Sequence, residues 1–529
     1  MRLSFPVLAL TVSLAFGLAA CNDSIPGNDG VFSIVAGSEN RDIEPLVREF
    51  CEKQSVACDF SYQGSLDIGL SLGMDAQNST ADAIWPAASI WVSMFDDQRK
   101  VRHLASIAQN PVALGVRKSK AQELGWIGRD VTMRDILAAV ESGRLRFLMT
   151  SATQSNSGAT AYLSMLTAML GDKDVIQPGD LDEPGVRQQV QSLLRGVQRS
   201  SGSSGWLADL YVDSAKQGTL YDAMWNYEVT LKETNAKLAE MGQDPLYAIY
   251  PTDGVGVADS PLGFIDRGRG EKAEEFFKAL QAHLLSAPVQ ERIAQTGRRL
   301  PLGSGSPALA PAEPAWNFDP SRLVTAIRMP SPNVIRTALD LYQDALRRPS
   351  LTAICLDFSG SMRGTGEEEL QQALDFLLTP DKTRALLVQW SPADRIILLP
   401  FDQRVRTSFS SSGNATEQQG LRRSIMGQTP SGGTDIYACA ADALRRIDAI
   451  RDGDYLPAIV LMTDGRSGGN EQAFLSQWRA SGSRVPVFGI TFGDADDGQL
   501  ETLAAATSGR VFDGKADLAG AFRAVRGYN

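Results

Sequence analysis

Leu351-Thr-Ala-Ile-Cys-Leu-Asp357-Phe-Ser359-Gly-Ser361 is a short apolar run that ends on one carboxylate and two hydroxyls. Such a run, followed by a Gly-containing segment, predicts a strand buried on both faces and then a loop. The pattern returns at Pro457 to Thr463, which leads into Asp464-Gly465. Between the two, Ile436, Ala440, Leu444 and Ile447 recur at helical spacing within 435–450, and a further helix is predicted over 499–506. Alternating strands and helices predict an α/β, doubly wound (Rossmann-like) sheet, whose ligands gather outside the carboxyl ends of the strands. Three loops would meet there: Asp357 to Ser361, Gly433-Thr434-Asp435, and Thr463-Asp464-Gly465.

Asp357, Ser359, Ser361, Thr434 and Asp464 together offer two carboxylates and three hydroxyls. Hard divalent cations, Mg2+ or Mn2+ with Ca2+ also compatible, take oxygen donors of this kind. Two carboxylates barely neutralise the ion, so it retains an appetite for one more anionic oxygen. Enzymatic readings of the same letters fit less well. Asp357 stands where a phosphatase nucleophile would, but Ser359 occupies the place of the required second acid. Gly465-Arg-Ser467-Gly-Gly469 matches a hydrolase elbow, yet that fold needs a later histidine, and the two in this chain are His103 and His283. No catalytic residue is expected, and the chain is read as a binding protein rather than an enzyme.

Residues 349–529 resemble a von Willebrand factor A domain with its metal-ion-dependent adhesion site. The likeness rests on Asp357-x-Ser359-x-Ser361, on Asp394-Arg-Ile-Ile-Leu-Leu-Pro-Phe401, on the Gly432-Gly-Thr434-Asp435 turn, and on Phe488-Gly-Ile-Thr-Phe-Gly-Asp494 and Thr507-Ser-Gly-Arg-Val-Phe512. The resemblance implies that Asp357, Ser359, Ser361, Thr434 and Asp464 hold the metal, some directly and some through water. It also implies a protein partner that offers an Asp or Glu carboxylate.

At the other end, Met1-Arg2 precedes an apolar run from Leu3 to Ala20 that closes on Leu18-Ala19-Ala20-Cys21. This looks like a bacterial lipoprotein signal (1–20), with Cys21 lipidated and 21–30 as the tether. An uncleaved anchor or an ordinary secretory signal are the competing readings. The expected place is the bacterial cell envelope, on its periplasmic or extracellular side, with the membrane reached through the N-terminal lipid. A net charge of −11 argues against a nucleic-acid partner. Export would permit a disulfide between Cys51 and Cys58. Cys355 and Cys439 are expected to be buried free thiols.

Residues 31–300 show a second strand and helix alternation. Val31 to Ala36 reads as a strand entering Gly37-Ser38-Glu39-Asn40, where Ser38 or Asn40 could cap the next helix. Cys58 to Tyr62 leads to Gln63-Gly64-Ser65, and a strand over Leu145 to Thr150 precedes Ser155-Asn156-Ser157-Gly158-Ala159-Thr160 at a helix start suited to an anion. A plain N-cap accounts for the latter residues equally well. This order is similar to the two-lobed, periplasmic extracellular solute-binding proteins. The resemblance implies that Ser38, Ser65, Ser157 and Thr160 face a cleft, with Tyr227 and Glu228 from the second lobe, around a small solute, an anion among the candidates. Residues 301–348 read as a Pro/Gly/Ser-rich linker and connecting helix. Two roles follow: a tethered receptor that grips a partner through its metal, or the substrate-binding component of an ABC-type importer with an accessory docking domain.

Overall fold

The computed structural model describes residues 30–73, 81–171, 173–301, 308–450, 454–493, 495, 497–515 and 517–528. The signal segment, Cys21, most of the tether and Asp494 lie outside these residues. Among the described residues no helix is long and apolar enough to cross a membrane.

Three sheets organise the chain. The first takes β1 (Val31–Gly37), β2 (Ala57–Gln63), β3 (Ala83–Trp85), β4 (Val101–Ser106) and a strand that returns later, β11 (Pro261–Ile265), in the order β2-β1-β3-β11-β4. The second takes β5 (Asn110–Arg117), β6 (Phe147–Leu148), β7 (Val197–Arg199), β8 (Ala223–Tyr227), β9 (Leu246–Ile249) and β10 (Val257–Ala258), in the order β10-β5-β8-β6-β7 with β9 on β5. The chain then crosses back as β11 (Pro261–Ile265), antiparallel to β3 and β4. Two short crossings, 107–109 and 259–260, therefore join the lobes built on these sheets.

The lobes do not stand apart. One apolar cluster runs from Leu66, Leu70, Ala87 and Trp91 of the first lobe into Met149, Tyr162, Leu166 and Trp225 of the second. The strand expected over 145–150 is reduced to Phe147–Leu148, because the chain beyond it turns at once into buried polar residues that meet the other lobe. Neither Ser38 nor Asn40 caps the following helix, Glu44–Lys53. Both sit in a short 3-10 turn before it, and the helix starts after Ile43 without a side-chain bond. Cys51, in that helix, is joined by a disulfide to Cys58 in β2.

The segment after 308 is packed rather than loose. Asn317 Nδ2 donates to Ala248 O at 2.7 Å, and Trp316 and Phe318 join the core of the second lobe. The helix Pro332–Leu341 lies on the same lobe, with Tyr162 Oη donating to Ala338 O at 2.9 Å. Its continuation reaches the last domain: Gln343 Nε2 donates to Gln389 O at 2.9 Å, and Arg347 pairs with buried Asp394. The connecting helix thus serves both neighbours.

The third sheet comprises β12 (Ser350–Asp357), β13 (Arg395–Phe401), β14 (Phe409–Ser412), β15 (Leu456–Thr463), β16 (Val487–Thr491) and β17 (Val511–Asp513), ordered β14-β13-β12-β15-β16-β17. All neighbours are parallel except β14 on β13. Every residue of β12 is buried. Ile354 and Leu356 enter one apolar layer while Leu351, Ala353 and Cys355 enter the other, so helices cover both faces as an unbroken apolar strand requires. Cys355 and Cys439 are not free: a disulfide ties β12 to the helix Ile436–Ile450. Each cysteine is apolar-facing in its own element, and those two faces are opposed.

Candidate metal face and interlobe cleft

β12 and β15 are adjacent and parallel, so the loops that follow Asp357 and Thr463 leave the sheet side by side. Asp357 is fully buried. Its Oδ1 accepts from the Ser359 amide at 2.8 Å and its Oδ2 from Thr463 Oγ1 at 2.6 Å. Ser359 Oγ lies 3.0 Å from Ser361 Oγ, which donates to Asp464 Oδ1 at 2.9 Å. Thr434 arrives from the second loop. Gly360 N donates to Gly432 O at 2.9 Å and Gly468 N to Thr434 O at 3.0 Å, stitching the loops together. A Cβ at Gly465 would stand 3.5 Å from Ser361 Oγ and 4.0 Å from Thr434 Oγ1, which locates those hydroxyls on one small patch. The structure thus brings Asp357, Ser359, Ser361, Thr434 and Asp464 to one edge.

Burial pushes the Asp357 carboxyl above its ordinary range; the Thr463 and Ser359 bonds oppose that shift, and the Asp464 charge adds to it. Among the described residues no basic side chain touches Asp357. A buried carboxylate beside a second carboxylate, with hydroxyls between them, is a donor set that a hard cation fits. Among the described residues no group of three or more His, Cys, Asp or Glu could hold a metal, so hydroxyl donors would complete the set.

Two supporting residues escaped the sequence reading. Arg406 Nη2 donates to Phe358 O at 2.8 Å and Ser431 O at 2.8 Å, Nη1 donates to Thr429 O at 2.6 Å, and Nε meets Asp402 Oδ2 at 2.9 Å. It therefore fastens the first loop to the second. Asp402 O accepts from Asp435 N at 2.9 Å and sets the turn that carries Thr434. No local motif marks either residue, because their partners lie in other loops.

The cleft differs. Ser38 Oγ accepts from Gly205 N at 3.0 Å and lies 3.3 Å from Ser204 Oγ, across the lobes. Ser65 Oγ accepts from Ala87 N at 2.9 Å, and Ser157 Oγ lies 2.9 Å from Thr150 Oγ1. The Thr160 methyl fills the space left by the absent side chain of Gly256. Tyr227 Oη accepts from Asn156 Nδ2 at 3.0 Å, and Asn156 Oδ1 accepts from Trp91 Nε1 of the first lobe at 2.8 Å. Glu228 is held by Arg299 at 2.9 Å and by Tyr250 Oη at 2.6 Å. All six residues are buried and engaged by protein.

Glu39, which the sequence did not single out, sits among them. Its Oε2 is 3.5 Å from Ser204 Oγ and its Oε1 has no hydrogen-bond partner. Burial raises its pKa to about 7, against the lowering effect of its backbone bond and of Arg298.

Residues 352–512 match the von Willebrand factor type A domain family. Among solved structures, the chain is similar to the periplasmic binding protein AfuA from Actinobacillus pleuropneumoniae (14% identity, TM-score 0.40, covering 54% of this chain and 90% of that one). It is also similar to a ferric binding protein from Campylobacter jejuni (12%, TM-score 0.42, 59% and 98%). A von Willebrand factor type A protein from Catenulispora acidiphila aligns at 17% identity (TM-score 0.30, 35% and 43%). No curated protein matches the chain. The chain is a mixed α/β protein in which a two-lobed region built on two sheets precedes a mostly parallel third sheet, and residues 352–512, which carry most of that third sheet, match the von Willebrand factor type A domain family.

Proposed function

We propose that this protein is a lipid-anchored binding protein of the bacterial cell envelope, not an enzyme, and that it engages a protein partner through a divalent cation. Asp357, Ser359, Ser361, Thr434 and Asp464 would hold Mg2+ or Mn2+, and the ion would supply an open coordination position for a partner's Asp or Glu. The observation that carries the reading is the unbroken polar chain from Thr463 through Asp357, Ser359 and Ser361 to Asp464 at the carboxyl edge of a parallel sheet. The two-lobed region would hold a small solute once its lobes part.

The test is thermal unfolding of the chain from Asn22 onward, with magnesium, with manganese and with chelator. A ligand of the native state raises the transition temperature. The expected result is a rise with either metal that vanishes in Asp357→Ala, whose transition in chelator remains cooperative. A displayed random-peptide library should enrich Asp and Glu only when magnesium is present. An equal metal-induced rise in Asp357→Ala would overturn the assignment.

A further inference from the structure

One cavity lies in neither of these sites. A space of about 610 Å3 sits where the two lobes and the C-terminal domain meet, within the size range of small-molecule sites and at a domain boundary, where such sites concentrate. Arg41 comes from the first lobe, Arg199, Trp206 and Lys216 from the second, and Arg510 and Tyr528 from the third body.

The charges on its walls do not cancel. Lys216 is paired with Asp213 at 2.9 Å, and Asp209 stands 3.3 Å from Lys237 and 3.8 Å from Arg41. Arg199 and Arg510 have no carboxylate partner among the described residues. Arg199 Nη2 donates to Ser508 O at 2.7 Å, while its Nε is buried without a hydrogen-bond partner. Arg510 Nη1 donates to Tyr528 Oη at 3.0 Å, and its guanidinium lies 3.5 Å from the centre of the Trp206 ring. The buried Nε of Arg199 lacks a partner, and the planar donor fork of each guanidinium matches a carboxylate, phosphate or sulfate.

We infer that this junction is a binding site for a small oxyanion that carries a flat or apolar group, with Arg199 and Arg510 taking the anion and Trp206 the flat part. The occupant would bridge all three bodies, because each contributes a wall.

Calorimetric titration of inorganic phosphate, sulfate and phenyl phosphate into the metal-free chain from Asn22 onward tests this. Saturable binding is expected, tighter for phenyl phosphate than for inorganic phosphate. Arg510→Gln should weaken it at least about tenfold. Trp206→Leu should remove the advantage of the phenyl group. Arg199→Gln is the second test of the anion contact, and Arg510→Gln, at a partly exposed position just before β17, keeps the question answerable where Arg199→Gln fails to fold. Failure of all three probes to bind at up to about 10 mM would overturn the inference. So would affinity unchanged by Arg510→Gln but lost in Ser157→Ala, which would move the anion to the interlobe cleft. A metal-induced rise in transition temperature that persists in Arg510→Gln keeps this result separate from the metal reading.

Discussion

The metal face and the interlobe cleft are built alike, from serines, threonines and carboxylates at the carboxyl ends of parallel strands, yet they present opposite states. At the metal face the polar groups bond to one another along a solvent-facing edge, and Ser361 is exposed. In the cleft the equivalent groups are consumed by protein, Ser38 by the opposing lobe and Ser65, Ser157 and Tyr227 within their own, and the lobes approach so closely that a Cβ at Gly64 would meet Gln154 O at 2.2 Å. The position of a residue at a strand end therefore says where a ligand could lie. Whether the position is available depends on what packs over it.

The contrast can be broken most strongly at Gly64. Gly64→Ala keeps an ordinary extended backbone but drives a methyl into the Gln154 and Gly202 carbonyls. The cost of closure should be about 1–3 kcal/mol or more. The lobes should part, with a larger radius of gyration in small-angle scattering and faster hydrogen exchange at Gly205. Unchanged exchange would mean that the closed cleft tolerates the strain and the two sites are less different than they look.

A second test concerns Glu39. Its folded-state pKa, about 7, lies above the ordinary 4.5, so the folded protein binds the proton more tightly than the unfolded one. The associated stability is complete below about pH 4.5 and is lost as pH rises through about 7. The swing is about 3 kcal/mol at most. Glu39→Gln should flatten this slope and stabilise the protein at pH 8, read from urea midpoints across pH. A slope that survives the substitution would place the titrating group elsewhere.

The smallest effect belongs to the metal face. Gly465→Ala places its Cβ at ordinary contact distance from Ser361 Oγ. It should cost less than about 1 kcal/mol in fold stability. A loss as large as that of Gly64→Ala would show the metal face to be as tightly closed as the cleft.

These differences also measure what the sequence could convey. The loops carrying Asp357 and Asp464 were legible because each donor group is contiguous and directly follows an apolar strand; Thr434 follows a helix, and its place was signalled by the Gly432-Gly433-Thr434-Asp435 turn. Arg406 and Asp402 were not, since their work consists of bonds to other loops. The cleft residues were read from strand ends and helix starts, but Gly64 and Gln154 are distant in sequence and their contact is tertiary. Trp91 with Asn156 is the same case. Burial of Cys355 and Cys439 follows from periodicity; that they face each other depends on how the helix 436–450 rotates onto β12. The segment 308–320 misled by composition, because proline and glycine spacing reports backbone stiffness and not the docking of Trp316 and Phe318.

The Cys355–Cys439 bond closes a loop with a sequence separation of 84 residues. A covalent closure of that size restricts the unfolded chain by an amount corresponding to about 4–5 kcal/mol in the chain-entropy account. Its location matters as much as its size, since Cys355 precedes Asp357 by two residues and Cys439 follows Thr434 by five. When the sheet edge opens transiently, the first and second ligand loops stay leashed to each other. Reassembly of the proposed cation site is then a search over a few ångströms, and not over the contour of the intervening chain.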